Sequence, residues 1–146
     1  MDMRLEQKSS FTISGYLIET LTTEASYDVK SAELRDKHEA SLRKHETTLY
    51  GATWFTNDEK LYYLFGVEAG SQNHVGSDSV QIPGGLFAVA TVPSEMPLIH
   101  AWVKTWEANG LSSIGYDYIE GEKCFELFGE DGVREIWVPV VKNEGV

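Results

Sequence analysis

The chain has 146 residues, 42% of them hydrophobic and 24% charged, enough for one domain with a core of its own. A formal net charge of -11 counts against a phosphate-binding surface, because non-specific nucleic-acid affinity rests on clustered Lys and Arg. A single cysteine, Cys124, excludes an intrachain disulfide framework, and no apolar run approaches the roughly 18 residues of a membrane span.

Residues 1–8 lack the apolar segment of a secretion signal, so a cytoplasmic protein is expected. Residues 11–22 mix β-branched and aromatic residues with polar ones and read as the first strand. Residues 28–45 are rich in Ala, Glu, Leu, Lys and Arg, with Asp28 available as an N-cap. They predict a helix whose apolar stripe is thin (Val29, Ala32, Leu34, Leu42) and which lies on the surface. Residues 48–55 and 61–67 predict a hairpin, turning at residues 56–60.

Residues 70–79 are polar and contain glycine, and mark a loop between two halves. A strand is expected within 80–92, after the turn at Pro83-Gly84-Gly85, which lacks the Lys-Ser/Thr of a phosphate loop. Ser94 caps a second expected helix that ends near Gly110, with Leu98, Trp102 and Trp106 four apart on one face. A strand over 112–119 and a final hairpin turning at Glu130-Asp131-Gly132 close the chain.

The order β-α-β-β occurs twice, which predicts an α+β fold of two side-by-side βαββ units, approximately residues 9–70 and 80–142 of a single domain spanning 1–146. Two helices, an antiparallel sheet and a central ligand cleft follow from it. In this alignment Tyr62 and Leu64 stand where Glu135 and Trp137 stand in the second half.

The tail is the most informative stretch. Alternation along two strands suggests Phe125, Leu127, Ile136, Val138 and Val140 on one side, with Glu126, Phe128, Glu135 and Trp137 together on the other. Carboxylates interleaved with large rings point to the lining of a cleft. Tyr16, Trp54 and Tyr116 add to the aromatic stock. His38 and His45 lie two helical turns apart, about 10.5 Å, too far for one zinc ion, and no metal site or cofactor is expected.

Phe125-Glu126-Leu127-Phe128, followed by Glu135-Ile136-Trp137-Val138-Pro139-Val140, resembles the tail of the GyrI-like small-molecule-binding domain, as do the order of elements and the helix entered through Val92-Pro93-Ser94 and carrying Ala101-Trp102. The family's usual tail has tyrosines where Phe128 and Trp137 stand, so the rings are kept here and the phenolic hydroxyls lost. The resemblance implies a cleft walled by aromatics with an acidic floor. It also implies a bulky, hydrophobic or planar ligand, cationic or electrophilic in some members. It ranks Glu135 first as the functional carboxylate and Glu126 second; parity with Glu135 makes Trp137 the expected ligand-stacking ring, the repeat adds Tyr62 and Leu64, and Phe128, Tyr16, Trp54 and Tyr116 complete the expected lining. Three functions are compatible with it: a hydrolase opening strained cyclopropane rings of DNA-alkylating toxins, a binding protein without chemistry, and an interaction protein directed at DNA gyrase. With no room for a DNA-binding domain before Phe11, a transcription factor is not expected, nor is direct contact with nucleic acid or membrane.

Overall fold

A computed structural model of the chain describes residues 3–21, 24–44, 46–55, 60–70, 76–93, 96, 115–119, 123–130 and 132–142. Nine strands and one helix are seen there: β1 (Met3–Lys8), β2 (Phe11–Leu21), α1 (Glu24–Arg43), β3 (Leu49–Phe55), β4 (Lys60–Glu68), β5 (Asp78–Ile82), β6 (Gly85–Val92), β7 (Tyr116–Tyr118), β8 (Cys124–Phe128) and β9 (Arg134–Lys142). The second expected helix, over residues 94–110, lies outside the described residues apart from Met96.

The strands form one antiparallel sheet in the order β1-β6-β9-β8-β3-β4-β2-β5, with β7 paired to β9 off this path. The order reads the same from either end when β1, β2, β3 and β4 are exchanged for β5, β6, β8 and β9. β1 stands at one edge and β2 six places away, about 29 Å in a flat sheet. Only Ser9 and Ser10 join them, a link that spans at most about 11 Å from Lys8 to Phe11. The sheet must therefore roll up at this end. The link from Ile82 to Gly85 passes beside the first, since a Cβ on Gly84 would lie 2.7 Å from the Ser10 nitrogen.

β1 is a strand that the sequence does not announce. Its residues MRLEQK carry little β preference and gain their conformation by pairing with β6 from Met3↔Ala90 to Lys8↔Gly85. The helix begins at Glu24, earlier than the Asp28 cap suggested, because Tyr27 is its main anchor and is wholly buried against the sheet. Ser31, Leu34 and Leu42 continue that face, so the buried stripe is as thin as expected.

Two apolar clusters lie on opposite faces of the sheet. The α1 side holds Tyr27, Leu42, Leu61, Tyr63, Phe65, Val67, Cys124, Ile136 and Val138. The far side holds Ile13, Tyr50, Ala52, Leu64, Phe87, Val89, Phe125 and Trp137, with Phe11 and Trp54 against it. Phe11 on β2 meets Phe125 on β8 at 5.1 Å between ring centroids, although two strands lie between them in the sheet, so the far side is the concave one.

β2 and β4 approach too closely for side chains where Gly15 faces Gly66: a Cβ on Gly66 would stand 1.9 Å from the Ser14 carbonyl oxygen. Forcing a methyl group against fixed backbone costs about 1–3 kcal/mol. Gly66→Ala is expected to lower stability by at least that amount in urea unfolding, and a change below about 0.5 kcal/mol would contradict the tight crossing.

Candidate functional site

The tail hairpin sets which groups can meet. Phe128 pairs with Arg134 across a loop of residues 129–133, and the ladder continues through Leu127↔Glu135, Glu126↔Ile136 and Phe125↔Trp137. Paired residues share a face, so even-numbered residues of both strands point to α1 and odd-numbered ones to the concave side. This corrects the expectation that Glu126, Phe128, Glu135 and Trp137 form one surface. The odd-length loop shifts the pairing by one residue, and a one-residue shift turns a whole strand over.

On the α1 side Glu126 is completely buried beside Arg134, which is itself 1% exposed. Arg134 Nε donates to Glu126 Oε2 at 2.7 Å, and Nη2 lies 2.5 Å from the same oxygen. Tyr63 Oη donates to Oε1 at 3.0 Å, and Arg35 Nη1 donates in turn to Tyr63 Oη at 3.2 Å. Arg134 Nη1 reaches the Met96 carbonyl.

Tyr63 stands on β4 and Glu126 on β8, with β3 between them. The phenol crosses β3 at Gly51, where a Cβ would lie 2.3 Å from Tyr63 Oη. Gly51 is thus the gap through which the network is wired. Burial is the largest cause raising the Tyr63 hydroxyl pKa well above its ordinary value, and the Glu126 charge adds to it, so Tyr63 stays a donor.

Above this network lies a cavity of about 650 Å³, lined by Val29, Ala32, Arg35, Phe65, Met96, Phe128 and Val133 among others, with Asp28, Asp36, Glu39 and Arg43 also on its wall. The volume is that of a drug-sized ligand site. Phe65 and Phe128 meet edge to face at 5.8 Å and form its aromatic wall. Residues 28, 32, 35, 39 and 43 recur at three- and four-residue spacing and form the helical side of the cavity beside the buried stripe.

The concave side carries the remaining tail groups. Trp137 is 7% exposed and stacks on Phe125 at 5.2 Å. Glu135 takes Arg4 Nη2 on Oε2 at 2.9 Å and Trp137 Nε1 on Oε1 at 3.2 Å. Arg4 and Lys8 lie over the Trp137 ring at 5.9 and 5.7 Å. Trp54 and Tyr62 stack at 5.6 Å on this face, and Leu64 is fully buried there.

Of the residues singled out from sequence, Phe128 therefore lines the cavity and Glu126 lies buried on the same side of the sheet, whereas Glu135, Trp137, Tyr62, Leu64 and Trp54 face away from it. Tyr16 is on the α1 side but stacks on His38 at 3.6 Å. Tyr116 packs near Ala88 and Val140, apart from both groups. The two candidate glutamates thus face opposite sides of the sheet and do not share one site. Arg134, Tyr63, Arg35 and Gly51 were not singled out. An odd-length turn that puts Arg134 diagonal to Glu126 was the one available signal. Among the described residues no group of three or more His, Cys, Asp or Glu is arranged to hold a metal ion, and no helix is long and apolar enough to cross a membrane.

A rolled antiparallel sheet with a helix over a cavity on one face is the fold of the effector-binding domains. The family described as integron-associated effector binding protein (Cass2) matches residues 4–140, and the chain belongs to it. A structure of SAV2435 bound to tetraphenylphosphonium has a TM-score of 0.73 at 16% identity, covering 97% of this chain and 94% of that one. An integron cassette protein from the mobile metagenome of Vibrio cholerae has a TM-score of 0.69 at 16% identity, with 95% of each chain covered. A bacterial transcription regulation protein from Staphylococcus aureus MU50 has a TM-score of 0.63 at 19% identity, covering 96% and 98%. At these identities the likeness is one of fold. No curated protein sequence matches the chain.

Removing one partner of a buried ion pair costs about 3–5 kcal/mol, because the other charge is left unpaired. Arg134→Met and Glu126→Gln singly are expected to destabilise on that scale, and the double variant by less than the sum, as measured by a double-mutant cycle in urea. Strict additivity would show that the pair is not coupled. Burial also pushes the Cys124 thiol up to about 12, so the folded protein should resist thiol alkylation at pH 8 and react once unfolded.

Proposed function

We propose that the chain binds a bulky hydrophobic or planar small molecule in the cavity between α1 and the sheet, without chemical turnover. The cavity itself carries the reading: a volume near 650 Å³, an aromatic wall of Phe65 and Phe128, and a buried polar floor reached through Arg35. Membership of an effector-binding family supports a small-molecule ligand. The tetraphenylphosphonium held by SAV2435 is an example of such bulk. Two βαββ units, approximately 9–70 and 80–142, are our reading of the strand order that is unchanged when the halves are exchanged. On that reading α1 belongs to the first unit and the Glu126–Arg134 floor to the second, and the cavity lies where they meet.

Hydrolysis of a strained ring with Glu135 activating water is the competing function. Glu135 has one oxygen on Arg4 and the other on Trp137, on the face away from the cavity. Both oxygens of Glu126 are likewise engaged, by Arg134 and Tyr63. Neither carboxylate is set up to position a water against a ligand in the cavity, and binding is therefore the function we favour.

A thermal-shift panel of aromatic compounds tests the site. A ligand at about 100 times its Kd stabilises by about 2.7 kcal/mol. Ala32→Trp, which fills the cavity from the helix, should abolish the shift while leaving the free protein folded. A shift that survives Ala32→Trp would place binding elsewhere, and new products of cyclopropane alkylators detected by mass spectrometry would restore the hydrolase.

A further inference from the structure

We infer that two copies of this chain pair through the outer edge of β1, antiparallel about a twofold axis at Leu5, and continue one sheet across both.

Among the described residues β1 pairs with β6 alone and β5 with β2 alone, so these two strands carry the open edges of the sheet. An open edge offers unpaired N–H and C=O groups to any strand of suitable sequence. The side chains decide between the two. β5 has one charge, Asp78, and an antiparallel pair centred on Val80 would set that acid against the buried Ile82 of the second copy. β1 reads Met3-Arg4-Leu5-Glu6-Gln7-Lys8, and the charges along one of its faces alternate in sign.

In an antiparallel pair centred on Leu5, Arg4 of each copy lies directly opposite Glu6 of the other, and Leu5 meets Leu5. Moving the axis to Glu6 would put Glu6 against itself and Arg4 against Lys8. An axis at Arg4 would put Arg4 against itself, and one at Gln7 would overlap residues 6–8 alone. Like charges directly opposite are unfavourable, so the charges select one register.

Charged side chains on an edge strand usually block such pairing. In this register each meets its opposite instead. Arg4 Nε donates to Glu6 Oε1 within the strand, and Nη2 donates to Glu135. Among the described residues Arg4 Nη1 and Glu6 Oε2 take part in no hydrogen bond, and the two side chains are 45% and 41% exposed. Across the axis these groups close a ring of four alternating charges, two from each copy. An isolated exposed ion pair contributes little, whereas a network of them contributes more. Leu5, exposed in the single chain, is covered at the centre. Six residues of one strand make a small interface, and the dimer is of the weak, reversible kind.

Sedimentation velocity of the full chain over a concentration series tests the pairing. Wild type should pass from monomer to dimer as concentration rises. Arg4→Glu and Glu6→Arg should each dimerise at least about tenfold more weakly, because both cross-strand pairs become like charges. An equimolar mixture of the two variants should dimerise again, since chains with two acids on this face then meet chains with two bases. The double variant Arg4→Glu/Glu6→Arg should also recover. Leu5→Lys sets two ammonium groups on the axis and should weaken the dimer without touching the contact between Arg4 and Glu135. A wild type that stays monomeric at every concentration would overturn the inference. So would a dimer indifferent to these charges, which would place the contact at β5 or in an exchange of β1 between copies, and so would a mixture no more associated than its two components.

Discussion

The buried contact between Glu126 and Arg134 is the constraint to which the α1 side is fitted. Two charges removed from water are tolerable only when each finds close, well-directed partners. Arg134 donates to Glu126 through Nε, with Nη2 in ion-pair contact with the same oxygen, and reaches the Met96 carbonyl through Nη1, while Tyr63 donates to the other Glu126 oxygen. Meeting that demand dictates residues far apart in the chain. Gly51 has to be small so that Tyr63 can cross β3, and α1 has to lie where Arg35 reaches the phenol. Tyr27, whose hydroxyl is 2.6 Å from Thr53 Oγ1, fixes the helix in that position.

The concave face is governed by different physics. Its rings touch one another at centroid distances from 5.1 to 6.1 Å, in stacked, tilted and edge-on contacts from Phe11 through Tyr50, Phe125 and Phe87 to Trp137. Lys8 sits 4.5 Å above the Phe11 ring, a cation placed on the aromatic surface by the protein itself. The Arg4–Glu135 pair is partly exposed and contributes at most about 1 kcal/mol. The rings of this face form a second core on the concave side of the sheet.

Strong local signals were legible in the sequence. The hairpin of β3 and β4 and the two strands of the tail follow from β-branched and aromatic runs broken by turn residues, and α1 from its composition. The tail pattern led to the right family. Other features escaped. β1 was missed because its conformation comes from β6 and not from its own residues, and β5 because its first residues read as part of a polar loop. The faces of the tail were mismatched because alternation is read within a strand, whereas the relation between strands depends on whether the turn length is odd or even. The floor of the cavity was missed because Tyr63 and Glu126 are 63 positions apart, and nothing local to either names the other.

The links at residues 8–11 and 82–85 carry the chain between strands that lie far apart in the sheet order. β1 precedes β2 in the chain but completes the sheet beside β6, and β5 precedes β6 but lies beside β2. Each of these two edge strands thus finds its partner in a part of the chain distant from it in sequence. Residues 3–68 made alone would leave β2 paired to β4 but without β5 on its other side, and β1 without β6, an open template for aggregation. Folding has to bring distant segments together before β1 and β5 are paired. That gives the domain the high contact order of slow-folding β proteins and makes it cooperative across its whole length.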